Sequence, residues 1–420
     1  MKNSIYFPKL ETVRIAANNL KKEILKTPLQ YHVNLSAALN ARVSLKREDL
    51  QPVRSYKIRG AYNKMISLSP EELSRGVVCA SAGNHAQGVA LACKKMKTRG
   101  TIFMPLTIPE QKLEQVKMFG EDYIDVILFG DTFDEAKEAA LVFSKKQDAV
   151  FIHPFDDPAV IEGQATIALE ILEQAQEPID YIFVPIGGGG LAAGISAVFK
   201  MLSPETRIIG VEPDGAASML KAIESGRPVR LDVISRFVDG AAVQQVGNYT
   251  FEICRNTLHD IVTVVEGKVC EEILLLYNKD AIVVEPAGAL SVAALKSYNK
   301  EELTAKNIVC IVSGSNNDIT RMEEIKEKAL LYKQLKHYFL LKFPQRPGAL
   351  RHFVMEVLGP DDDITYFEYT KKNSKEKGMA VVGIVVKQYK DFEPLLSKMK
   401  QHDFYVNYLN DKPLLMNLLV

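Results

Sequence analysis

The fold is decided by one stretch in the middle of the chain, Tyr181-Ile182-Phe183-Val184-Pro185-Ile186-Gly187-Gly188-Gly189-Gly190-Leu191. Residues 181–185 are hydrophobic throughout, which is typical of a strand in a parallel sheet covered on both faces. The glycines follow that strand directly, and an apolar helical stretch begins after them. A glycine-only loop lets backbone N–H groups approach an anion closely, beside the positive end of the helix dipole. The stretch therefore predicts an open α/β sheet with a phosphate-binding loop.

The alternation of strand and helix continues on both sides of this loop. Between the predicted strands lie amphipathic stretches that predict helices, and this order is typical of βαβ units and parallel sheets. The predicted strands are 76–80, 101–104, 123–129, 150–153, 181–185, 207–211 and 308–312. The predicted helices are 85–96, 109–119, 132–146, 158–175 and 191–201.

The pattern changes near residue 325. A charged helical stretch at 323–336 is followed by strand, helix, two strands, helix and strand, an order that is the ferredoxin-like split βαββαβ pattern. These elements are predicted at 337–343, 347–358, 364–370, 380–386, 392–401 and 405–409, with polar turns at 359–363 and 371–378. We therefore predict a first region over 1–325, a connector helix over 326–336 and a domain of a different class over 337–411.

Composition excludes several classes of protein. The chain has 420 residues, with 52 Lys and Arg against 52 Asp and Glu, so the formal net charge is zero. A nucleic-acid binder usually carries a basic excess, so we expect no nucleic-acid partner. Five cysteines without a C-x-x-C pair indicate a reducing compartment. Since no signal peptide or membrane-length apolar run is evident, we expect a cytoplasmic protein without a membrane partner.

Three other loops carry residues suited to chemistry. The first, Ser81-Ala82-Gly83-Asn84-His85, joins a strand to a helix, so that its hydroxyl, amide and backbone N–H groups can bind a carboxylate. The alternative is a plain helix start, because Ser and Asn are common caps. The second is Ser313-Gly314-Ser315-Asn316, after the last strand of the sheet, where open α/β sheets bind ligands. A plain turn is an equal alternative there.

The third is Ser55-Tyr56-Lys57-Ile58-Arg59-Gly60-Ala61, which opens a predicted helix. A lysine at a helix start is unfavourable against the dipole, which predicts a depressed pKa for Lys57. Such an amine is suited to act as nucleophile and base. A single lysine is usually a solvated surface charge, so only the combination of loops gives this one weight.

Together these loops resemble the fold-type II pyridoxal-phosphate (PLP) enzymes over residues 10–325. The Lys57 and Asn84 segments are similar to those of threonine dehydratases and serine racemases. The resemblance implies two open α/β subdomains, the smaller over about 50–152 and inserted in the larger. In the tail, the segment 343–350 resembles the strand, turn and helix of an ACT-like regulatory domain. One such unit after the catalytic region resembles the short biosynthetic threonine dehydratases.

The resemblance also implies roles for individual residues. Lys57 would be the catalytic residue and would hold PLP as a Schiff base, Asn84 would bind the ring hydroxyl, and Ser313 would face the pyridine nitrogen. The cofactor phosphate would bind Gly187, Gly188, Gly189, Gly190 and Leu191. The substrate carboxylate would bind Ser81, Gly83, Asn84 and His85.

A metal site is not expected. The related serine racemases bind a divalent metal partly through an acid just after a G-V-E-P segment. Glu212 and Ala216 match that pattern here, but Ser218 stands in place of the acid.

The implied reaction is the dehydration and deamination of L-threonine to 2-oxobutanoate and ammonia, the first step of isoleucine biosynthesis. The tail implies feedback by an amino-acid effector, isoleucine first and valine second. It also implies a homo-oligomer, for which a tetramer is the expected assembly. The tail could instead serve only in oligomerisation.

Other functions stay open at this point. Serine dehydration and serine racemisation use the same fold and cofactor. Gly187, Gly189 and Ala192, followed by Glu212, also satisfy a degenerate dinucleotide fingerprint, so a nicotinamide-dependent dehydrogenase is an alternative. A non-catalytic amino-acid-binding regulator is another.

Overall fold

The structure, a computed structural model, describes residues 6–369 and 377–420. The chain divides into two compact units between Ile319 and Thr320. Strands of the first unit are β1 (Leu29–Tyr31), β2 (Arg42–Arg47), β3 (Val77–Ala80), β4 (Gly100–Met104), β5 (Ile124–Leu128), β6 (Val150–Phe151), β7 (Tyr181–Pro185), β8 (Arg207–Pro213), β9 (Asp260–Val264) and β10 (Asn307–Val312).

Helices of the first unit surround these strands. They are α1 (Leu10–Leu20), α2 (Val33–Leu39), α3 (Lys57–Ile66), α4 (Pro70–Ser74), α5 (Asn84–Met96), α6 (Glu110–Gly120), α7 (Phe133–Gln147), α8 (Pro158–Gln174), α9 (Gly190–Leu202), α10 (Ser218–Ser225), α11 (Asn248–Thr257), α12 (Glu266–Asp280), α13 (Pro286–Leu295) and α14 (Lys300–Leu303). None of the helices in the described ranges combines the length and apolarity that a membrane span requires.

The larger sheet has the order β1-β2-β10-β7-β8-β9, and all its neighbours are parallel except β1 with β2. Its main core packs β7 and β10 against helices α8 and α9. Every residue of β7 is buried, as expected for a strand covered on both faces. The carboxyl ends of β7 and β10 therefore open on one edge, where the glycine loop and Ser313 follow.

A smaller parallel sheet has the order β5-β4-β3-β6 and its own core around helix α5. Strand β3 is buried along its whole length, and the loop that begins at Ser81 follows it. The first unit thus contains two open α/β sheets, each with a candidate ligand-binding loop at a strand end.

The second unit begins with helix α15 (Met322–Tyr332). It continues with β11 (Lys336–Pro344), α16 (Ala349–Glu356), β12 (Asp363–Tyr369), β13 (Lys377–Val385), α17 (Phe392–Gln401), β14 (Tyr405–Tyr408) and α18 (Pro413–Leu419). The antiparallel sheet order β12-β13-β11-β14 is that of a ferredoxin-like fold, with a core of aromatic and aliphatic residues around Phe353. The predicted α/β class and the βαββαβ tail are both confirmed.

Some boundaries differ from the sequence prediction. The charged helix predicted over 323–336 ends at Tyr332, because Gln334 adopts a positive φ of 54° and the Leu335 N–H turns back to the Leu330 carbonyl. Lys336 therefore begins a strand. The sequence analysis also missed the edge strands β1 and β9 and the inner strand β2. Residues 370–376, which hold most of the predicted 371–378 turn, lie outside the described residues.

Candidate active site

A cavity of about 520 Å³ opens at the strand ends of the first unit. Its walls come from both parallel sheets, because the loops after β3, β7 and β10 converge there. Every residue that the sequence singled out for the site lines it: Lys57, Ser81, Gly83, Asn84, His85, Gly187, Gly188, Gly189, Gly190, Leu191 and Ser313.

Lys57 is the first residue of helix α3 and points into this cavity. Its Nζ donates a 3.0 Å hydrogen bond to the Pro154 carbonyl. Burial lowers the pKa of Lys57 to about 8, and the nearby Glu285 opposes that shift. The pKa of Lys57 is therefore depressed as predicted, but the cause is burial. The helix start is held to the end of β10, since the Tyr56 N–H donates to the Ser313 carbonyl.

The glycine loop is packed too tightly for side chains. A Cβ on Gly188 would overlap the Phe155 ring, and a Cβ on Gly187 would lie 3.0 Å from the Cα of Ala241. Gly189 has a φ of +94°, a conformation that favours glycine. Because helix α9 begins at Gly190, its first backbone N–H groups have no partner within the helix. A phosphate fits this position.

The loop before helix α5 presents backbone N–H groups at the helix start, and hydrogen bonds hold its Ser81 and Asn84 side chains in place. The Gly83 N–H donates to Ser81 Oγ at 3.2 Å. Asn84 donates to Glu285 Oε1 at 2.6 Å and accepts from Asn316 Nδ2 at 2.7 Å. One N–H of the Asn84 amide remains available for a ligand.

His85 and Ser313 are placed differently from their expected roles. The buried His85 ring lies 2.9 Å from the Ile152 carbonyl, and burial lowers the pKa of His85 to about 3, so the ring is neutral and already partnered. His85 can therefore offer a substrate its backbone N–H. The Ser313 hydroxyl donates to the Ala287 carbonyl at 3.2 Å, so it must turn away from that carbonyl before it can donate to a ring nitrogen.

Glu285 is the site residue that sequence reasoning missed. It stands at the N-cap position of helix α13, makes no capping hydrogen bond with its side chain and lies 4% exposed in the cavity wall. Burial, with a contribution from Asp239, raises the pKa of Glu285 to about 7. The available signal was a lone acid between a hydrophobic run and the apolar helix that begins at Pro286.

The dinucleotide alternative is wrong. Glu212, the expected ribose ligand, is buried at the end of β8 and accepts hydrogen bonds from the N–H groups of Met219 and Leu220. Its carboxylate therefore caps helix α10 and does not line the cavity. The described residues also hold no group of three or more His, Cys, Asp or Glu side chains arranged to share a metal ion.

Comparison with known proteins agrees with this geometry. The family described as "Pyridoxal-phosphate dependent enzyme" matches residues 20–314, and the chain belongs to that family. The family described as "C-terminal regulatory domain of Threonine dehydratase" matches residues 327–419. Within the PLP enzymes, the chain belongs to the biosynthetic L-threonine dehydratases, as its relatives show.

Those relatives align over nearly the whole chain. The biosynthetic L-threonine dehydratase IlvA of Halalkalibacterium halodurans is 50% identical over 98% of this chain and 99% of its own length. The protein of the same name from Bacillus subtilis is 51% identical over 96% of each chain. The predicted family, enzyme class and PLP cofactor are confirmed.

Solved structures show the same fold. The processed form of threonine deaminase isoform 2 from Solanum lycopersicum has a TM-score of 0.72 and 40% identity, covering 78% of this chain and 96% of that one. Maize serine racemase has a TM-score of 0.71 and 30% identity, covering 78% of this chain and 100% of that one.

Proposed function

We propose that this chain converts L-threonine to 2-oxobutanoate and ammonia, as the first step of isoleucine biosynthesis. The observation that carries the proposal is the buried amine of Lys57 in one cavity with a glycine loop at a helix N-terminus. The names of the relatives aligned over nearly the whole chain support threonine as the substrate. We infer that residues 1–325 form the catalytic region, with the smaller sheet in its inserted subdomain.

The residues of the cavity fit PLP. Gly187, Gly188, Gly189, Gly190 and Leu191 would hold the phosphate, because helix α9 presents unpaired N–H groups there. Lys57 would hold the cofactor covalently. The free amide N–H of Asn84 would bind the ring hydroxyl, and Ser313 would face the ring nitrogen. When bound, PLP supplies an electron sink for the charge left as the α-proton departs.

Lys57 would also accept the α-proton that leaves the substrate. Because burial lowers its pKa to about 8, about a tenth of the amine is neutral at pH 7 and can accept a proton at Nζ. The hydrogen bond to the Pro154 carbonyl orients that Nζ atom. Glu285 can hold or release a proton in the same range, since burial raises its pKa to about 7.

The substrate carboxylate would bind at the start of helix α5. The Ser81 hydroxyl and the backbone N–H groups of Asn84 and His85 supply donors there, and the helix dipole favours the negative charge. The Gly83 N–H, which donates to Ser81 Oγ in this structure, would have to leave that oxygen to join them. The neighbouring Asn84–Glu285 hydrogen bond fixes the loop against the larger sheet.

The test is an assay of 2-oxoacid formation from L-threonine and L-serine by the purified chain. We expect turnover of threonine with the higher kcat/KM, and a visible absorbance from bound PLP. Equal or better use of serine would overturn the substrate assignment, and formation of D-serine without 2-oxoacid would favour a racemase. A chain without visible absorbance that uses no amino acid would overturn the proposal as a whole.

The C-terminal unit matches the regulatory domain of threonine dehydratase, which implies that it binds a small-molecule effector. We infer that residues 337–411 bind isoleucine, with valine as the second candidate, and that 326–336 connect them to the catalytic region. We also propose a homotetramer located in the cytoplasm. Isoleucine in the same assay should inhibit threonine turnover, and sedimentation should give the tetramer mass.

A further inference from the structure

A cluster of four charged residues lies behind helix α3, on the side away from the cavity. We call Lys46, Glu48, Arg59 and Glu170 the buried ion cluster. The first three are fully buried, and the Glu170 side chain is 15% exposed. Two cations and two anions make the cluster neutral. None of the four lines the cavity, so the proposed chemistry does not use them directly.

Arg59 is the centre of the cluster. Its guanidinium donates to both oxygens of Glu48, at 2.8 and 2.7 Å, and to both oxygens of Glu170, at 2.7 and 2.9 Å. A further 3.1 Å bond reaches Thr166 Oγ1. Lys46 donates to Glu170 at 2.6 Å and to the Thr27 carbonyl at 2.7 Å. The five donors of an arginine fork can pair with both oxygens of two carboxylates at once, which the three donors of an ammonium cannot do.

Such a cluster is weak evidence for stability. The desolvation of buried charges often exceeds their mutual attraction, and apolar residues of similar volume can be as stable. A fully satisfied buried network does fix the geometry of the elements that it joins. Here it joins β2 and the segment after it to helices α3 and α8.

The geometry relates this network to Lys57. Successive residues of an α-helix turn by about 100°, so Lys57 and Arg59 point to nearly opposite sides of the first turn of α3. Helices α3 and α8 also pack closely at Gly163. A Cβ at that position would lie 2.5 Å from the Arg59 carbonyl, so no larger residue fits there. The segment before α8 carries Pro154, whose carbonyl accepts from Lys57 Nζ.

We propose that Arg59 is a positioning residue for Lys57: its fork to Glu48 and Glu170 fixes the first turn of α3 and holds the Lys57 amine in the cavity. This inference rests on the proposed function, in which Lys57 holds the cofactor. If the hydrogen bonds of the Arg59 guanidinium are weakened, the first turn of α3 can move. The Lys57 amine then becomes more exposed and less well oriented in the cavity.

The test compares R59K with R47K. Arg47 is a matched control, because it is a buried arginine with a two-point pair to Asp49 but lies in β2 and not on α3. For R59K we expect about 100-fold lower kcat on threonine with KM changed less than about threefold, as a misplacement near 1 Å produces. The affinity for PLP, titrated by absorbance, should fall about tenfold, while R47K changes either value less than about twofold.

A second readout does not need the loaded enzyme. In the cofactor-free chain, acylation of the Lys57 amine followed by mass spectrometry across pH reports its pKa. We expect R59K to move that pKa up toward the ordinary lysine value and R47K to leave it unchanged. The more conservative E170Q should raise the Lys57 pKa by a smaller amount. This variant provides the test if R59K fails to fold.

Identical Lys57 pKa values and PLP affinities in R59K and R47K, with equal losses of Tm, would overturn the inference. If wild-type protein neither binds PLP nor turns over threonine, the proposed function fails instead. The labelling comparison in the cofactor-free chain would still decide whether Arg59 positions Lys57.

Discussion

The side-chain amide of Asn84 donates a 2.6 Å hydrogen bond to Oε1 of Glu285. These residues are 201 positions apart, and each stands at the start of a helix, α5 behind the smaller sheet and α13 behind the larger one. The bond therefore joins the two halves of the cavity at the point where Lys57 enters it. Glu285 has no cationic partner at hydrogen-bond distance among the described residues, so burial keeps its pKa high.

The first prediction concerns the pH dependence of stability in the cofactor-free protein. Burial raises the pKa of Glu285 from 4.5 to about 7. Between these values the folded chain holds a proton that the unfolded chain has lost, so stability falls as pH rises through this window. E285Q lacks that titration. Its free energy of unfolding relative to wild type should therefore rise by about 1–3 kcal/mol between pH 5 and pH 8.

Urea unfolding at the two pH values measures this gain. E272Q is the control, because Glu272 is a buried glutamate with an ion pair to Lys296. It should be less stable than wild type at both pH values. An E285Q variant whose difference from wild type is the same at pH 5 and pH 8 would contradict the raised pKa.

The second prediction concerns the amine. K57A should lower kcat on threonine by roughly 10³-fold or more and abolish the visible absorbance of bound PLP, because one group serves as attachment point and base. K64A is the control on the same helix, two turns further along, where Lys64 pairs with Asp157. We expect K64A to keep absorbance and turnover, and an active K57A would exclude Lys57 from the reaction.

The third prediction concerns the glycine loop. G188A should weaken PLP binding by about 100-fold, because the new methyl group overlaps the Phe155 ring and displaces the loop. Equilibrium titration by absorbance measures this. The double variant G188A/F155A should bind PLP more tightly than G188A alone, since it removes the clash. If F155A does not restore PLP affinity to G188A, contact with the Phe155 ring is not the reason that residue 188 must be glycine.

The fourth prediction concerns the regulatory unit. Phe353 is fully buried at the centre of its core, so F353A should destabilise that unit by about 3–5 kcal/mol. Because the catalytic unit has a separate core, kcat without effector should change little, while inhibition by isoleucine is lost. V354A is the control, since Val354 is 42% exposed and should keep the response. Inhibition that survives in an F353A chain with a melted C-terminal unit would place the effector site elsewhere.

Sequence reasoning worked best where the signal was local. The four glycines, the lysine at a helix start and the SAGNH loop each combine a turn type with a chemical group. The rule that parallel strands end on the same edge accounts for the glycine loop and Ser313, which follow β7 and β10 of one sheet. The SAGNH loop follows β3 of the other sheet, so only the packing of the two sheets brings it to the same cavity. The edge strands β1 and β9 were missed because they are short or partly exposed and lack a continuous apolar run.

The sequence by itself determined the α/β class, the ferredoxin-like tail, the cofactor family and the predicted loop residues of the cavity, because strand and helix patterns and loop chemistry are properties of neighbouring residues. The tertiary structure alone decided the partners. Only the folded structure shows that Asn84 donates to Glu285 and that the buried ion cluster forms around Arg59. It also shows that Glu212 caps helix α10. Those contacts join residues far apart in the chain, and burial, which only packing creates, sets the pKa values of Lys57, His85 and Glu285.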